Sequence, residues 1–140
     1  MVYKKIMGLD IGDKRIGISL SDPMRITAQG AETYTRRDDA SDVEHIARIF
    51  AENGCEFIVS GLPKNMNGTI GPQAQKVMDF CELLKERIGC NIEFSDERLT
   101  TMLVERTLIE ADVSRQKRRK VVDKLAAVNI LQVYLDSHHF

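Results

Sequence analysis

Apolar residues follow two rhythms along this chain. Near the start, "KKIMGLDIGDKRIGISLSD" alternates around the turn residues Gly12, Asp13 and Lys14, predicting strands over Lys4 to Ile11 and Arg15 to Ser21. Successive side chains of an extended chain face opposite ways, so Met7, Leu9 and Ile11 share one side and Ile6, Gly8 and Asp10 the other. "AQGAETYT", Ala28 to Thr35, predicts a third strand. The rhythm then turns helical: Val43, Ile46, Ala47 and Phe50 recur at helix spacing after "RRDDASDVEH", where Ser41 and Glu44 have the spacing of a capping box. Gly54 ends that helix, and "CEFIVSGLP" is continuously apolar, as a strand covered on both faces should be. A loop, "GLPKNMNGTIGPQ", leads to a helix starting near Pro72, with Val77, Phe80, Cys81, Leu84 and Ile88 as its stripe and Gly89 as its stop. "CNIEFSDERL" predicts a fifth strand that breaks at Ser95 to Glu97. Helices follow from about Thr101 to Ala111 and Lys120 to Asp136, separated by a polar, basic segment.

Three hairpin-linked strands followed by alternating helix and strand imply an α/β fold, a mixed sheet flanked by helices. No linker, repeat or low-complexity tract interrupts the chain, so residues 1–140 are expected to form a single domain. No apolar run approaches the roughly 20 residues needed to cross a bilayer, and the N-terminus lacks a secretory pattern. A cytoplasmic protein without membrane contact is the expectation. Cys55, Cys81 and Cys90 are odd in number and form no C-x-x-C pair, which argues against a disulfide framework or a structural zinc site. The net charge of −1 gives no bulk attraction to polyanions, so any nucleic-acid binding must come from local clustering.

Three carboxylates stand where apolar residues would be expected. Asp10 lies inside an apolar strand, where burial without a partner costs several kcal/mol. Asp123 and Lys124 are the only charges between Val121 and Leu135, and Asp123 shares a helical face with Ala126, Ala127 and Ile130. A position in the helix's first turn, favoured by the dipole, would account for Asp123 equally well. Glu97 ends the fifth strand within "DERLTT", at the sheet edge where ligands usually bind, although helix capping by Asp96 or Thr100 explains that stretch too. Together, three carboxylates from separate elements could converge on hard cations such as Mg²⁺, which take a few carboxylates plus water and phosphate oxygens. Two such ions roughly 4 Å apart can promote in-line phosphoryl displacement.

Four blocks in order, "GLDIGDKRIGIS", "GLPKNMNG", "DERLTT" and "VVDKLAAVNILQVYL", resemble the YqgF (RuvX) family over essentially the whole chain. These are ribonuclease H-like proteins described as Holliday junction resolvases and as nucleases maturing the 5′ end of 16S ribosomal RNA. The resemblance implies a ribonuclease H-like five-stranded mixed sheet flanked by helices, and phosphodiester cleavage dependent on Mg²⁺ (or Mn²⁺). Carried over by position, the catalytic and metal-binding residues would be Asp10, Glu97 and Asp123. Asp13 stands where the family's first block is expected to hold a small hydroxyl residue, which leaves Asp13 and Asp96 as candidates for a fourth carboxylate.

Basic charge clusters in "SRQKRRK", where Arg115, Lys117, Arg118, Arg119 and Lys120 lead into the helix bearing Asp123. This stretch is expected to contact phosphates, as a mobile segment that orders on substrate. Lys14, Arg15 and Arg98 are further backbone clamps in expectation, and Asn65 and Asn67 could offer amides to a phosphate or sugar. Structured RNA, precursor 16S rRNA, is the favoured partner over a DNA junction, with the protein acting as monomer or homodimer. Two other classes compete. "DIGDKRIG" resembles the phosphate hairpin of actin-like ATPases and sugar kinases, although those close two such domains over a nucleotide. A non-catalytic nucleic-acid-binding factor would explain the basic run but leave the three carboxylates unexplained.

Overall fold

A computed structural model describes residues 4–63, 67–96 and 115–138, with the backbone alone for 96 and 115–124. Its elements are β1 (Lys5–Ile11), β2 (Arg15–Ser21), β3 (Ala28–Thr35), α1 (Asp39–Glu52), β4 (Cys55–Leu62), α2 (Pro72–Ile88), β5 (Ile92–Asp96) and α3 (Arg115–Ser137). The helix expected over 101–111 lies outside the described residues. The five strands form one mixed sheet in the order β3-β2-β1-β4-β5. β1, β2 and β3 pair antiparallel as a meander, whereas β4 joins β1, and β5 joins β4, in parallel.

The alternation along β1 divides the core in two. Met7, Leu9 and Ile11 point to the face covered by α1 and α2, packing with Ile16, Ile18, Val43, Ile46, Ile58, Val77, Phe80 and Leu84. On the opposite face Ile6 and Val59 pack against Ile130, Leu131 and Leu135 of α3. A fully buried side chain of this size contributes about 1.5–3 kcal/mol, so among the described residues the first face supplies most of the hydrophobic stability. The smaller face gains polar ties. Gln132 accepts from the Ala28 N–H at 2.9 Å and donates to the Ile26 carbonyl at 2.9 Å, fastening α3 to the start of β3.

Two boundaries differ from the sequence expectation. Helix α1 is capped by Asp38, whose carboxylate accepts from the Ser41 N–H at 2.7 Å, so Ser41 is not the cap. Glu44 turns away to Arg87 of α2, which donates from Nε at 2.5 Å. Helix α3 begins at Arg115 rather than near Lys120, taking in the whole basic run. That run has no apolar period to betray a helix, yet Arg, Lys and Gln are good helix formers. Its backbone forms the first turns of α3.

Asp42, 1% exposed, joins α1 to the end of β3. Burial pushes its carboxyl up, but the Arg37 N–H, the Arg36 guanidinium and the Tyr34 hydroxyl outweigh that and hold it below its ordinary value.

Candidate functional site

Asp10 stands on the α3 side of the sheet, half-buried, next to the last residue of β1. Its partner across the antiparallel ladder is Gly17. On the parallel side Leu9 pairs with Ser60, which puts Gly61 beside Asp10. Both of these neighbours are glycine, so neither places a side chain directly beside the carboxylate. In the next ladder Gly61 pairs with Ser95 of β5, and β5 ends at Asp96. Glu97 and Arg98 lie outside the described residues, as does Asn65.

Gly8 sets how closely α3 approaches. A Cβ there would lie 2.3 Å from Ser19 Oγ, 2.8 Å from Leu131 Cβ and 3.1 Å from the Ala127 carbonyl. Only a hydrogen fits, and the helix rests directly on the strand. Buried Ser19 of β2 ties the contact, donating to the Ala127 carbonyl at 2.8 Å, with the Gly8 carbonyl a longer 3.3 Å away. This serine is a positioning residue that the sequence reading missed; its signal was its place in "RIGISLS", on the same face as Gly17.

Helix α3 runs opposite to β1. Ile6 packs in the cluster of Leu131 and Leu135, and Gly8 meets Ala127 and Leu131. One step further takes β1 to Asp10, about 6.6 Å on, and α3 back one turn to position 123, about 6 Å on. Positions 10 and 123 therefore stand at the same level of the packed pair. Because α3 starts at Arg115, Asp123 lies about two turns inside it. The dipole effect fades within the first turn, so it no longer explains a carboxylate there.

The other expected site residues divide. Lys14 and Arg15 belong to the β1–β2 hairpin, where the Gly12 N–H donates to the Arg15 carbonyl at 2.9 Å, beside Asp10's end of the sheet. Asp13 lies 3.5 Å from Lys76 Nζ of α2, an exposed pair. Asn67 Oδ1 accepts from the Thr69 N–H at 3.1 Å and from the Thr69 hydroxyl at 2.7 Å, holding the loop's own turn. Arg115, Lys117, Arg118, Arg119 and Lys120 occupy the first turns of α3, on the sheet-edge side of position 123. Among the described residues no cluster of three His, Cys, Asp or Glu comes together; the expected trio includes Glu97 and Asp123, whose side chains lie outside the description. Burial pushes the Cys55 and Cys81 thiols up to about 11, so neither is poised as a nucleophile.

The sequence model of the family described as "RuvX: Holliday junction resolvase" matches residues 4–137. The chain belongs to the RuvX family. This RuvX-family chain is 58% identical over 136 residues to a Clostridioides difficile (strain 630) protein named "Putative pre-16S rRNA nuclease", covering 97% of this chain and 96% of that one. A protein of the same name from Clostridium novyi (strain NT) is 51% identical over 133 residues, covering 95% and 98%. Among solved structures, T. thermophilus RuvC in complex with Holliday junction substrate superposes with a TM-score of 0.59 at 9% identity, covering 96% of this RuvX chain and 95% of RuvC. The fowlpox virus resolvase bound to Holliday junction DNA gives 0.58 at 13% identity, covering 95% and 97%. The fold is the ribonuclease H-like α/β fold of these resolvases. Among the described residues, no helix is long and apolar enough to cross a membrane.

Proposed function

We propose that this RuvX-family chain is a single-domain, cytoplasmic, divalent-metal-dependent nuclease that hydrolyses phosphodiester bonds in the 5′ flank of precursor 16S rRNA. One observation carries the chemistry: Asp10 stands at the carboxyl edge of the sheet with glycine on both neighbouring strands, level with position 123 of a helix that Gly8 allows into contact. The substrate class follows from the names borne by relatives more than half identical over nearly the full chain.

The donor set suits a hard cation, being all carboxylate. Asp10, Glu97 and Asp123 would hold Mg²⁺ or Mn²⁺, which when bound supplies positive charge at the scissile phosphate and acidifies a water. The protein's own work is placement. The sheet fixes the direction of Asp10, and the Ser19–Ala127 bond fixes the height of α3 on the strand. Gly17 and Gly61 keep the surface over Asp10 low enough for a phosphate group. Lys14, Arg15 and the basic start of α3 add positive charge at the same edge, favouring a polyanion without reading its sequence.

Likeness of fold to resolvases bound to four-way junctions favours one second reading, DNA junction cleavage. A gel assay separates the two. End-labelled precursor 16S rRNA carrying its 5′ flank and a four-way DNA junction are each incubated with wild type and Asp10→Asn, in Mg²⁺, in Mn²⁺ and in chelator. We expect metal-dependent cutting of the RNA, lost in Asp10→Asn while its thermal unfolding stays at the wild-type value. Symmetric nicking of the junction alone would move the assignment to recombination. Binding without cutting of either would make the chain a nucleic-acid-binding factor.

A further inference from the structure

Beyond the carboxylate edge, the surface holds an open groove of ≈ 970 Å³ where the end of β3 meets α1. Its charge is one-sided. Arg36, Arg37 and Arg48 line it against a single carboxylate, Glu44, and that carboxylate is taken from outside by Arg87, which donates from Nε at 2.5 Å and from Nη2 at 3.1 Å. Arg36 is spent on Asp42 and Asp39, at 2.9 Å and 3.0 Å. Among the described residues, neither Arg37 nor Arg48 forms an ion pair with a carboxylate, and both are exposed. Among the described side chains that line the groove, arginines therefore outnumber carboxylates, and the ones without a carboxylate partner are Arg37 and Arg48.

The floor is ordered before any ligand arrives. The Tyr34 and His45 rings stack at 4.1 Å. Arg48 donates to His45 Nδ1 at 3.1 Å, so the ring's Nε2–H points to Glu32 at 2.6 Å. Arg48 is thus held in place by a ring and not by an anion, keeping its charge available.

The groove opens on the α1 side of the sheet, the face opposite Asp10, but at the same end of the strands, and Thr35 at its rim belongs to Asp10's face. Asp10 pairs with Gly17, Gly17 with Thr33, and Arg15 with Thr35, so these residues share one face, and Thr35 also lines the groove. The Arg36 N–H donates to the Lys14 carbonyl at 2.9 Å, joining the groove's rim to the β1–β2 hairpin. From strand spacing and rise, the path from Asp10 to Arg37 is on the order of 15 Å.

We propose that this groove is an extended substrate site: the nucleic-acid strand leaving the cleavage edge rounds the β1–β2 hairpin from Asp10's face of the sheet to the α1 face and seats its backbone phosphates against Arg37 and Arg48. The inference rests on the nuclease reading for what lies at Asp10, and it adds where the rest of the strand runs. A guanidinium suits phosphate because its planar fork donates two parallel hydrogen bonds.

The test is binding of labelled precursor 16S rRNA with its 5′ flank, in chelator, across a salt titration, for wild type and Arg37→Ala/Arg48→Ala. Each lost single-strand phosphate contact reduces the slope of log affinity against log salt by about 0.7, so the double variant should lose about 1.4 of slope and roughly tenfold in affinity. Arg37→Lys/Arg48→Lys, which keeps the charge, should retain the slope. Equal affinity and slope in wild type and the alanine variant would overturn the groove assignment, whatever the cleavage assay gives. Wild-type binding that weakens as expected in the variant, with no cleavage in Mg²⁺ or Mn²⁺, would keep the groove and remove the nuclease reading.

Discussion

At the scale of single residues, the most demanding position is Gly8, which has no chemistry of its own. Its hydrogen is what lets α3 rest on β1, and so what brings position 123 to Asp10's level. Of the two close neighbours a methyl would meet, Ser19 Oγ could rotate away by giving up its bond to Ala127, whereas Leu131 Cβ is fixed to the helix backbone. Gly8→Ala must therefore lift the helix. Overpacking of this kind costs about 1–3 kcal/mol, and the broken Ser19–Ala127 bond adds about 1 kcal/mol. We expect urea unfolding to show that loss and metal-dependent cleavage to fall far more steeply than the fraction folded. Adding Ser19→Ala should not rescue it, because the clash with Leu131 stays. Wild-type cleavage by Gly8→Ala would mean that the height of α3 on the strand does not matter to the chemistry.

At the scale of elements, α3 joins two features that the sequence alone separates. Residues at spacings of four fall on one row of a helix, and positions 115, 119, 123 and 127 make such a row. It runs from two arginines past the sheet's edge, through Asp123, to the Ala127 carbonyl that Ser19 holds. Position 117 falls on nearly the opposite side. Arg119→Ala should therefore weaken RNA binding and flatten its salt dependence more than Lys117→Ala, and Arg118→Ala/Arg119→Ala should do so strongly. Equal effects at 117 and 119 would mean that the run acts only as diffuse charge. Much of this architecture could be seen from the residues: strand ends marked by Gly12 and Ser21, the faces of β1 from parity, the two helix stops at Gly54 and Gly89. The start of α3 could not, because "RQKRRK" has good helix propensity but no apolar period. Nor could the cap of α1, where Asp38, Asp39 and Ser41 all have the right chemistry and the capping partner Glu44 is drawn away by Arg87, distant in sequence.

At the scale of the whole molecule, the mixed sheet and its helices on both faces were legible because hairpins and crossovers leave different spacings, but the pairing register was not. Gly61 came beside Asp10 through a parallel ladder between segments some fifty residues apart, and no local pattern specifies that alignment. Register also decides how many sites the reaction needs. One chain holds β1, β5 and α3, the elements on which the proposed site draws, so under the RNA reading a single copy should suffice. Cutting a four-way junction symmetrically demands two such edges related by a twofold axis. The two activities therefore differ in their dependence on protein concentration. With RNA in excess, the initial rate per mole of protein should stay constant across a dilution series that sedimentation shows to be monomeric. A specific activity that falls on dilution, in step with loss of a dimer, would mean that the second copy completes the working enzyme. That outcome would favour the junction as substrate over the ribosomal precursor.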